Sequence, residues 1–169
     1  MFSYSGNCDS LEIEQEQAIE SAMEAFEKLG IDGMQAVWIN QANNVYTINF
    51  AYEKENTVIY PDLIKVRVCG KSGMVIGLEA RTYYQNHTQR DIKSASITES
   101  QARNNVADDM QVQTTRLCIV PIGNSLEVLC YEFSGTIGES TYYVYIDAST
   151  GRQVQMFKVI SSTEGELLM

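Results

Sequence analysis

Cysteine and histidine are the side chains of this sequence best suited to nucleophilic chemistry, and it holds four cysteines and one histidine, His87. A catalytic cysteine needs a lowered thiol pKa, which a nearby histidine or a helix N-terminus after a glycine turn can supply. None of the four cysteines carries such a local signature. A cysteine inside a strand is usually inert. The sequence therefore gives little support for a cysteine hydrolase.

Other catalytic and ligand-binding patterns do not occur in the sequence either. It contains no G-x-S-x-G, no phosphate-binding glycine loop and no H-E-x-x-H. The adjacent carboxylates Asp108 and Asp109 point in different directions at the end of a predicted helix, so we interpret them as a solvated terminus. One histidine and scattered cysteines do not form a recognisable zinc site, and no acidic loop has calcium-binding spacing. We predict a non-enzymatic protein with no catalytic residues, no cofactor and no metal.

The cysteine spacing leaves one structural question open. The four cysteines are too few to be a disulfide framework in a chain of 169 residues, so we expect most of them to be buried thiols. If the strands flanking Asn124 turn about that residue, Cys118 and Cys130 fall opposite one another and could form a cross-strand disulfide.

The charge and hydropathy of the chain exclude two classes of partner. The formal net charge is −10 and the pI is near 4.5, whereas a phosphate-binding surface needs clustered Lys and Arg. No run of roughly 18 apolar residues occurs, and no basic segment leads into an apolar one at the N-terminus. We therefore expect no nucleic acid partner, no membrane span and no signal peptide in this chain.

Hydrophobic periodicity in the first half predicts one helix followed by four strands. Apolar residues recur at three- and four-residue spacing from Glu14 to Leu29, and Gly30 would end this amphipathic helix. A connection from Glu53 to Asp62 would lead into a hairpin at Leu63–Ala80. Two earlier strands are predicted at Met34–Asn40 and Val45–Tyr52, the second with Tyr46, Ile48 and Phe50 facing the core.

The same plan restarts after residue 90. Thr98 is predicted to cap a second helix, with Gln101 as its reciprocal partner. In a final hairpin at Tyr142–Val159, Asp147 would open the turn as an acceptor and Gly151 would adopt a positive φ angle. Two further strands are predicted at Val112–Ile122 and Leu126–Phe133.

Matched positions in the two halves, such as Val66–Gly73 and Val144–Gly151, indicate a duplication. We predict an α+β fold of two tandem repeats, each a helix followed by an antiparallel sheet of about four strands. The predicted boundaries are 13–90 and 91–169. Residues 1–12 would be a poorly ordered tail of a preceding segment.

Several sequence blocks resemble a known family. The second repeat, with ITESQA from Ile97 and YYVYIDASTGRQV from Tyr142, resembles the PepSY domain of peptidase propeptides and bacterial envelope proteins. The ordered succession of IYPDLIKVRV from Ile59, GMVIGLEA from Gly73 and the residues up to Arg90 is similar to the C-terminal part of the YpeB family of spore germination proteins. The first repeat is a diverged copy, since it lacks the Ile-Asp-Ala found at Ile146–Ala148. The chain also departs from the family pattern at Cys69, where CGKSG stands in place of the acidic turn that the resemblance implies.

The resemblance implies a non-enzymatic partner of the spore cortex-lytic enzyme, a cell-wall hydrolase. The full-length protein would sit in the spore envelope, at the outer face of the inner spore membrane, attached through an N-terminal anchor that this chain lacks. A sheet face or edge would bind the enzyme, by strand addition or aromatic docking. The candidate contact residues lie in connections and in the entry to the first hairpin: Pro61, Asp62, Tyr83, Tyr84, His87 and Arg90.

Two alternatives remain at the level of the sequence. One is a PepSY-type peptidase inhibitor that acts like a propeptide, and the other is a passive envelope-binding module. The sequence also leaves open whether the enzyme is inhibited or stabilised, which surface binds it, and the oligomeric state.

Overall fold

The computed structural model describes residues 2–3, 8–123, 126–162 and 165–168. The chain forms two compact units, the first built mainly from residues 1–54 and 61–88 and the second mainly from residues 55–60 and 89–162. Each unit combines a capped helix with a sheet that is largely antiparallel. The predicted α+β class is therefore confirmed.

The first unit is organised around helix α1, Gln15–Leu29. The helix starts where the Gln17 side chain accepts a hydrogen bond from the Glu14 backbone N–H at 2.9 Å. It ends at Gly30, whose φ of +68° is a conformation that favours glycine. The helix buries Ala18, Ala22 and Phe26 against the sheet, as the spacing of its apolar residues requires.

The sheet of the first unit has the order β1-β5-β4-β3-β2. The turn between β2 and β3 consists of Asn43 and Asn44, both at positive φ (51° and 58°), which asparagine tolerates better than most residues. The predicted inward face of β3 is confirmed, because Tyr46, Ile48 and Phe50 are buried. The strands are β1 Phe2–Ser3, β2 Met34–Ala42, β3 Val45–Lys54, β4 Thr57–Cys69 and β5 Val75–Glu79.

The predicted connection from Glu53 to Asp62 is wrong. Glu55 and Asn56 form a second turn at positive φ (51° and 58°), and β4 begins directly after it at Thr57. Glutamate is an uncommon residue at positive φ, so the turn signal at Glu55 and Asn56 was weak. Pro61 also misled the prediction, since proline is usually excluded from strand interiors. Here it lies within β4.

The segment after β5 also differs from the prediction. Residues Arg81–Asn86 form a short helix, α2, in a part of the first predicted repeat where no helix was predicted. Tyr83 points inward from this helix and is buried. The helix ends where the His87 backbone N–H donates to the Tyr83 carbonyl oxygen at 2.7 Å.

The second unit begins with helix α3, Glu99–Arg103. The predicted cap is confirmed: the Gln101 N–H donates to Thr98 Oγ1 at 3.2 Å, and the Thr98 N–H donates to Gln101 Oε1 at 2.8 Å. The helix is short, with five residues. Even so, Val106 and Met110, which lie beyond its end, are buried in the core with Ala102.

The strands of the second unit follow in sequence order, β6-β7-β8-β9-β10, and residues Thr57–Ile59 at the start of β4 pair in parallel with β6. In the final hairpin, Asp147 Oδ1 accepts hydrogen bonds from the N–H groups of Ser149 and Thr150. Gly151 has a φ of +75°. Both predictions for that turn are confirmed. The strands are β6 Gln111–Ile122, β7 Leu126–Ile137, β8 Ser140–Asp147, β9 Gln153–Ser162 and β10 Gly165–Leu168.

The cysteines depart from the expectation in one respect. Cys118 and Cys130 are directly opposite one another on β6 and β7, as predicted, but both are free and buried thiols. A disulfide instead joins Cys8 to Cys69. The sequence did not suggest it, because the N-terminal residues show no periodicity from which a partner could be inferred.

The Cys8–Cys69 disulfide lies in a tightly packed part of the first unit. The N–H groups of Glu12 and Ile13 donate to the Gly70 carbonyl oxygen at 2.8 and 2.9 Å. A Cβ atom on Gly70 would lie 2.7 Å from the Asn44 carbonyl oxygen, so only glycine fits there. The expectation of a poorly ordered tail up to residue 12 therefore does not hold from Cys8 onward.

Candidate protein-binding site

The most distinctive polar contact of the first unit joins β4 to the end of α2. His87 Nδ1 lies 2.7 Å from Asp62 Oδ2, with the Asp62 side chain fully buried and the His87 side chain 33% exposed. A carboxylate can only accept a hydrogen bond, so Nδ1 carries the proton and donates it. This contact fixes the ring orientation of the histidine.

Two aromatic rings pack against this histidine. The Tyr83 ring stacks on the imidazole with centroids 4.5 Å apart, and the Tyr52 ring meets it edge-on at 4.7 Å. Tyr84 packs edge-on against Tyr83 at 5.5 Å, and it is 71% exposed. The imidazole is therefore held by three neighbours, and one tyrosine beside them faces solvent.

Local helix geometry brings these residues together. In α2, residues three or four apart lie on the same face, so Tyr83 shares a face with Asn86 and His87. The Asn86 side-chain amide donates to the Pro61 carbonyl oxygen at 3.0 Å. This hydrogen bond ties the end of α2 to the strand position just before Asp62.

The electrostatics of the cluster favour a neutral Tyr83. Burial, followed by the charges of Asp62 and Asp32, raises the pKa of Tyr83 above its ordinary value of 10.0. The phenol therefore remains protonated at neutral pH. Among the described residues, no group of three or more His, Cys, Asp or Glu side chains is placed to hold a metal ion. The arrangement offers a fixed imidazole and aromatic rings, which suits recognition of another surface.

Five of the six predicted contact residues thus occur in one cluster of the first unit, which we call the His87 cluster: Pro61, Asp62, Tyr83, Tyr84 and His87. Arg90 belongs to the second unit, where its Nε and Nη2 atoms donate to the two carboxylate oxygens of Glu127, each at 2.8 Å. The Arg90 hydrogen bond lowers the pKa of Glu127. A role in partner binding stays a prediction for all six residues.

Sequence reasoning missed two residues that contact the His87 cluster, Tyr52 and Asn86. Tyr52 continues the alternation of the inward-facing residues of β3, and this period could have identified it. Asn86 had no such signal, because its hydrogen bond to Pro61 depends on α2, which the sequence did not predict.

A second buried polar group lies in the second unit and was also missed. This group is the fully buried carboxylate of Glu132. One of its oxygens lies 2.9 Å from Arg116 Nε, and the other accepts a hydrogen bond from the Tyr60 hydroxyl. Burial and the charge of Glu132 raise the pKa of Tyr145 and Tyr60 well above the usual value. Tyr60 is the last residue of the segment 55–60, which belongs to the second unit. Its hydrogen bond to Glu132 therefore helps hold this segment in the second unit.

The described residues contain no helix with both the length and the apolar composition needed to cross a membrane.

Two known family profiles match this chain and identify its class. Residues 96–155 match the family profile described as "Peptidase propeptide and YPEB domain", the PepSY domain. Residues 5–93 match the profile described as "YpeB sporulation, PepSY1 and PepSY2 domains". The chain therefore belongs to the YpeB family of sporulation proteins.

Individual relatives agree with this assignment. The chain is 34% identical over 143 residues to a sporulation protein YpeB of Halalkalibacterium halodurans, a match covering 85% of this chain and 32% of the relative. It is 37% identical over 106 residues to the YpeB of Bacillus subtilis, covering 62% of this chain and 24% of that protein. The solved Bacillus megaterium YpeB C-terminal domain superposes with a TM-score of 0.82 at 29% identity, over 92% of this chain and 70% of that one. The chain thus spans about a third or less of the length of these full-length relatives.

Proposed function

We propose that this chain is a non-catalytic binding module that holds a spore cortex-lytic enzyme, a cell-wall hydrolase, in a protected or restrained state. Membership of the YpeB sporulation family supports a role in the spore. With this function we propose a location in the spore envelope, at the outer face of the inner spore membrane, with membrane attachment supplied by a segment outside this chain.

The observation that carries the proposal is the His87 cluster. Tyr84 presents most of its ring to solvent beside an imidazole that Asp62 and Tyr83 already hold in place. Tyrosine is enriched among the residues that contribute most to binding energy at protein interfaces. A contact residue fixed before binding loses less conformational entropy on association. The cluster is therefore suited to anchor a protein partner.

The test measures binding and protection together. The purified chain is titrated into purified cortex-lytic enzyme by calorimetry, and the lifetime of the enzyme under limited proteolysis is measured with and without the chain. We expect binding, a longer lifetime, and a loss of affinity of about tenfold or more for Tyr84→Ala, as for an interface hot spot. Leu126→Ala, at a 66% exposed position in the second unit, is the control and should bind normally. Equal affinity of the two variants would show that the cluster is not the contact.

A second function is favoured by the family description that matches residues 96–155, which names peptidase propeptides. In that case the chain would inhibit a peptidase. An assay against a secreted peptidase separates the two, because the first function predicts no inhibition at concentrations that saturate the cortex-lytic enzyme.

A further inference from the structure

We propose that the open edge of β2 accepts an extended segment of the partner enzyme as an additional strand, and that basic residues at one end of that segment enter an acidic groove beside the strand. The proposal rests on the proposed function and specifies where and how the partner is bound.

The composition of β2 is unusual for an edge strand. In the described part of the chain, β2 pairs with β3 and with no other strand. Its nine residues, MQAVWINQA, include no charged residue and no proline. Proteins usually protect such edges with lysine, proline or strong irregularities, because unpaired N–H and C=O groups attract other strands. The one irregularity here is a register shift between Ala36 and Trp38, which leaves the stretch from Trp38 to Ala42 regular.

The register identifies the backbone groups that face outward. Ala42 and Val45 flank the two-residue turn at Asn43 and Asn44, so they form a hydrogen-bonded pair. Hydrogen-bonded and non-hydrogen-bonded pairs alternate along an antiparallel ladder. Gln41, opposite Tyr46, is therefore in a non-hydrogen-bonded pair, and its N–H and C=O groups point away from β3. The same holds for Ile39, two residues earlier.

The acidic groove indicates which charge the partner segment should carry. It has a volume of about 690 Å³ and is formed by the last turns of α1 and the residues up to Gly33, which immediately precedes Met34 at the start of β2. Glu20, Glu27 and Asp32 contribute carboxylates to its lining, and Met23, 40% exposed, contributes apolar surface. A segment lying along β2 would reach this groove at one end. Lysine or arginine at that end would complement the carboxylates.

Charge also disfavours a second copy of this chain as the occupant. Each copy has a formal net charge of −10, and like charges of this size repel when two copies approach. The edge is therefore better suited to a basic segment of a different protein than to pairing with itself.

The experiment combines hydrogen exchange with two variants at one position. Gln41→Pro removes the outward N–H and leaves the hydrogen bonds to β3 intact, whereas Gln41→Ala keeps the N–H. With the cortex-lytic enzyme bound, we expect slower exchange of the Ile39 and Gln41 amides in the wild type. We expect affinity to fall about tenfold or more for Gln41→Pro and to change by less than about twofold for Gln41→Ala. Equal far-ultraviolet circular dichroism of the two variants confirms that both fold.

The outcomes separate this inference from the proposed function. If the enzyme binds but the Ile39 and Gln41 amides exchange as fast as before, the edge is not the docking site and the proposed function stands. If the enzyme does not bind, both proposals fail. If these amides become protected without enzyme as the protein concentration rises, the occupant is a second copy and the inference is overturned. Should Gln41→Pro not fold, the exchange measurement on the wild type decides alone.

Discussion

At the residue scale, His87 shows how tertiary contacts give a role to a side chain whose local sequence suggests none. Taken by itself, a lone histidine near the end of the first predicted repeat has no evident task. In the structure the Asp62 carboxylate, which is fully buried, would be costly without a hydrogen-bond donor, and His87 supplies one at 2.7 Å. The pair therefore stabilises the cluster while leaving a third of the imidazole open to solvent.

The free thiols give a prediction that depends on burial. Burial raises the pKa of the Cys130 thiol to about 12 and that of Cys118 well above 9.0. Because the thiolate is the reactive form, neither should react with Ellman's reagent in the native protein at pH 8. We expect no rapidly reacting thiol in the native protein, two after unfolding, and four after unfolding and reduction, since Cys8 and Cys69 form a disulfide. One fast-reacting thiol in the native state would contradict this assignment.

The Arg90–Glu127 ion pair predicts a specific pH dependence. The hydrogen bond from Arg90 lowers the pKa of Glu127 below 4.5 in the folded chain, so the unfolded chain binds this proton more tightly. The stabilisation is therefore complete above about pH 4.5 and is lost as the pH falls through the lowered pKa.

The check compares urea unfolding of the wild type and of Glu127→Gln at pH 7 and pH 3. The wild type should be more stable than Glu127→Gln at pH 7, but only slightly, because the Glu127 side chain is 37% exposed and solvent screens the pair. The difference should be smaller at pH 3, where Glu127 is closer to its lowered pKa. Glu139→Gln, at an exposed carboxylate, should show no such convergence. A stability gap for Glu127→Gln that is the same at both pH values would refute the assigned role.

At the scale of elements, the sequence predicted those helices and strands whose local sequence signal is strong. Helix α1 and the final hairpin follow from apolar spacing, from Gly30 and from the Asp147 turn, all of which act within a few residues. The first part of β4 and helix α2 were not predicted. The turn at Glu55–Asn56 uses a residue with low preference for positive φ, and α2 has six residues, too few for periodicity to be recognised.

The candidate site was predicted less completely than the fold, because its contacts join residues that are far apart in the sequence. Resemblance to the family pointed to Asp62 and His87, but the bond between them joins residues 25 positions apart and depends on α2. The Cys8–Cys69 bond spans 61 positions and involves a segment without periodicity. Contacts of this kind depend on the packed chain and leave no local pattern.

The disulfide predicts a large effect on the stability of the first unit. A closed loop of 61 residues reduces the entropy of the unfolded chain, and the loop-entropy relation gives about 4 kcal/mol of stabilisation. Cys8→Ala/Cys69→Ala should therefore unfold at a markedly lower urea concentration than the oxidised wild type. Reductant should destabilise the wild type and leave the double variant unchanged. A wild type that is insensitive to reductant would show that the bond contributes little.

At the scale of the whole molecule, the chain consists of two compact units, each with its own buried core. Among the described residues, no group of three or more His, Cys, Asp or Glu side chains is placed to hold a metal ion, and the first unit carries the His87 cluster and the uncharged β2 edge. A net charge of −10 gives such a module long-range attraction toward a basic surface, and salt weakens this attraction. We therefore expect association with the partner to slow as ionic strength rises, with less effect on dissociation.

The proposed function requires that this chain bind a spore cortex-lytic enzyme directly. Surface plasmon resonance with the immobilised enzyme and the purified chain, at two salt concentrations, tests it most simply. The proposal predicts saturable binding, an association rate that falls with added salt, and weaker binding for Tyr84→Ala than for Leu126→Ala. No saturable binding at micromolar concentrations of a correctly folded chain would contradict it.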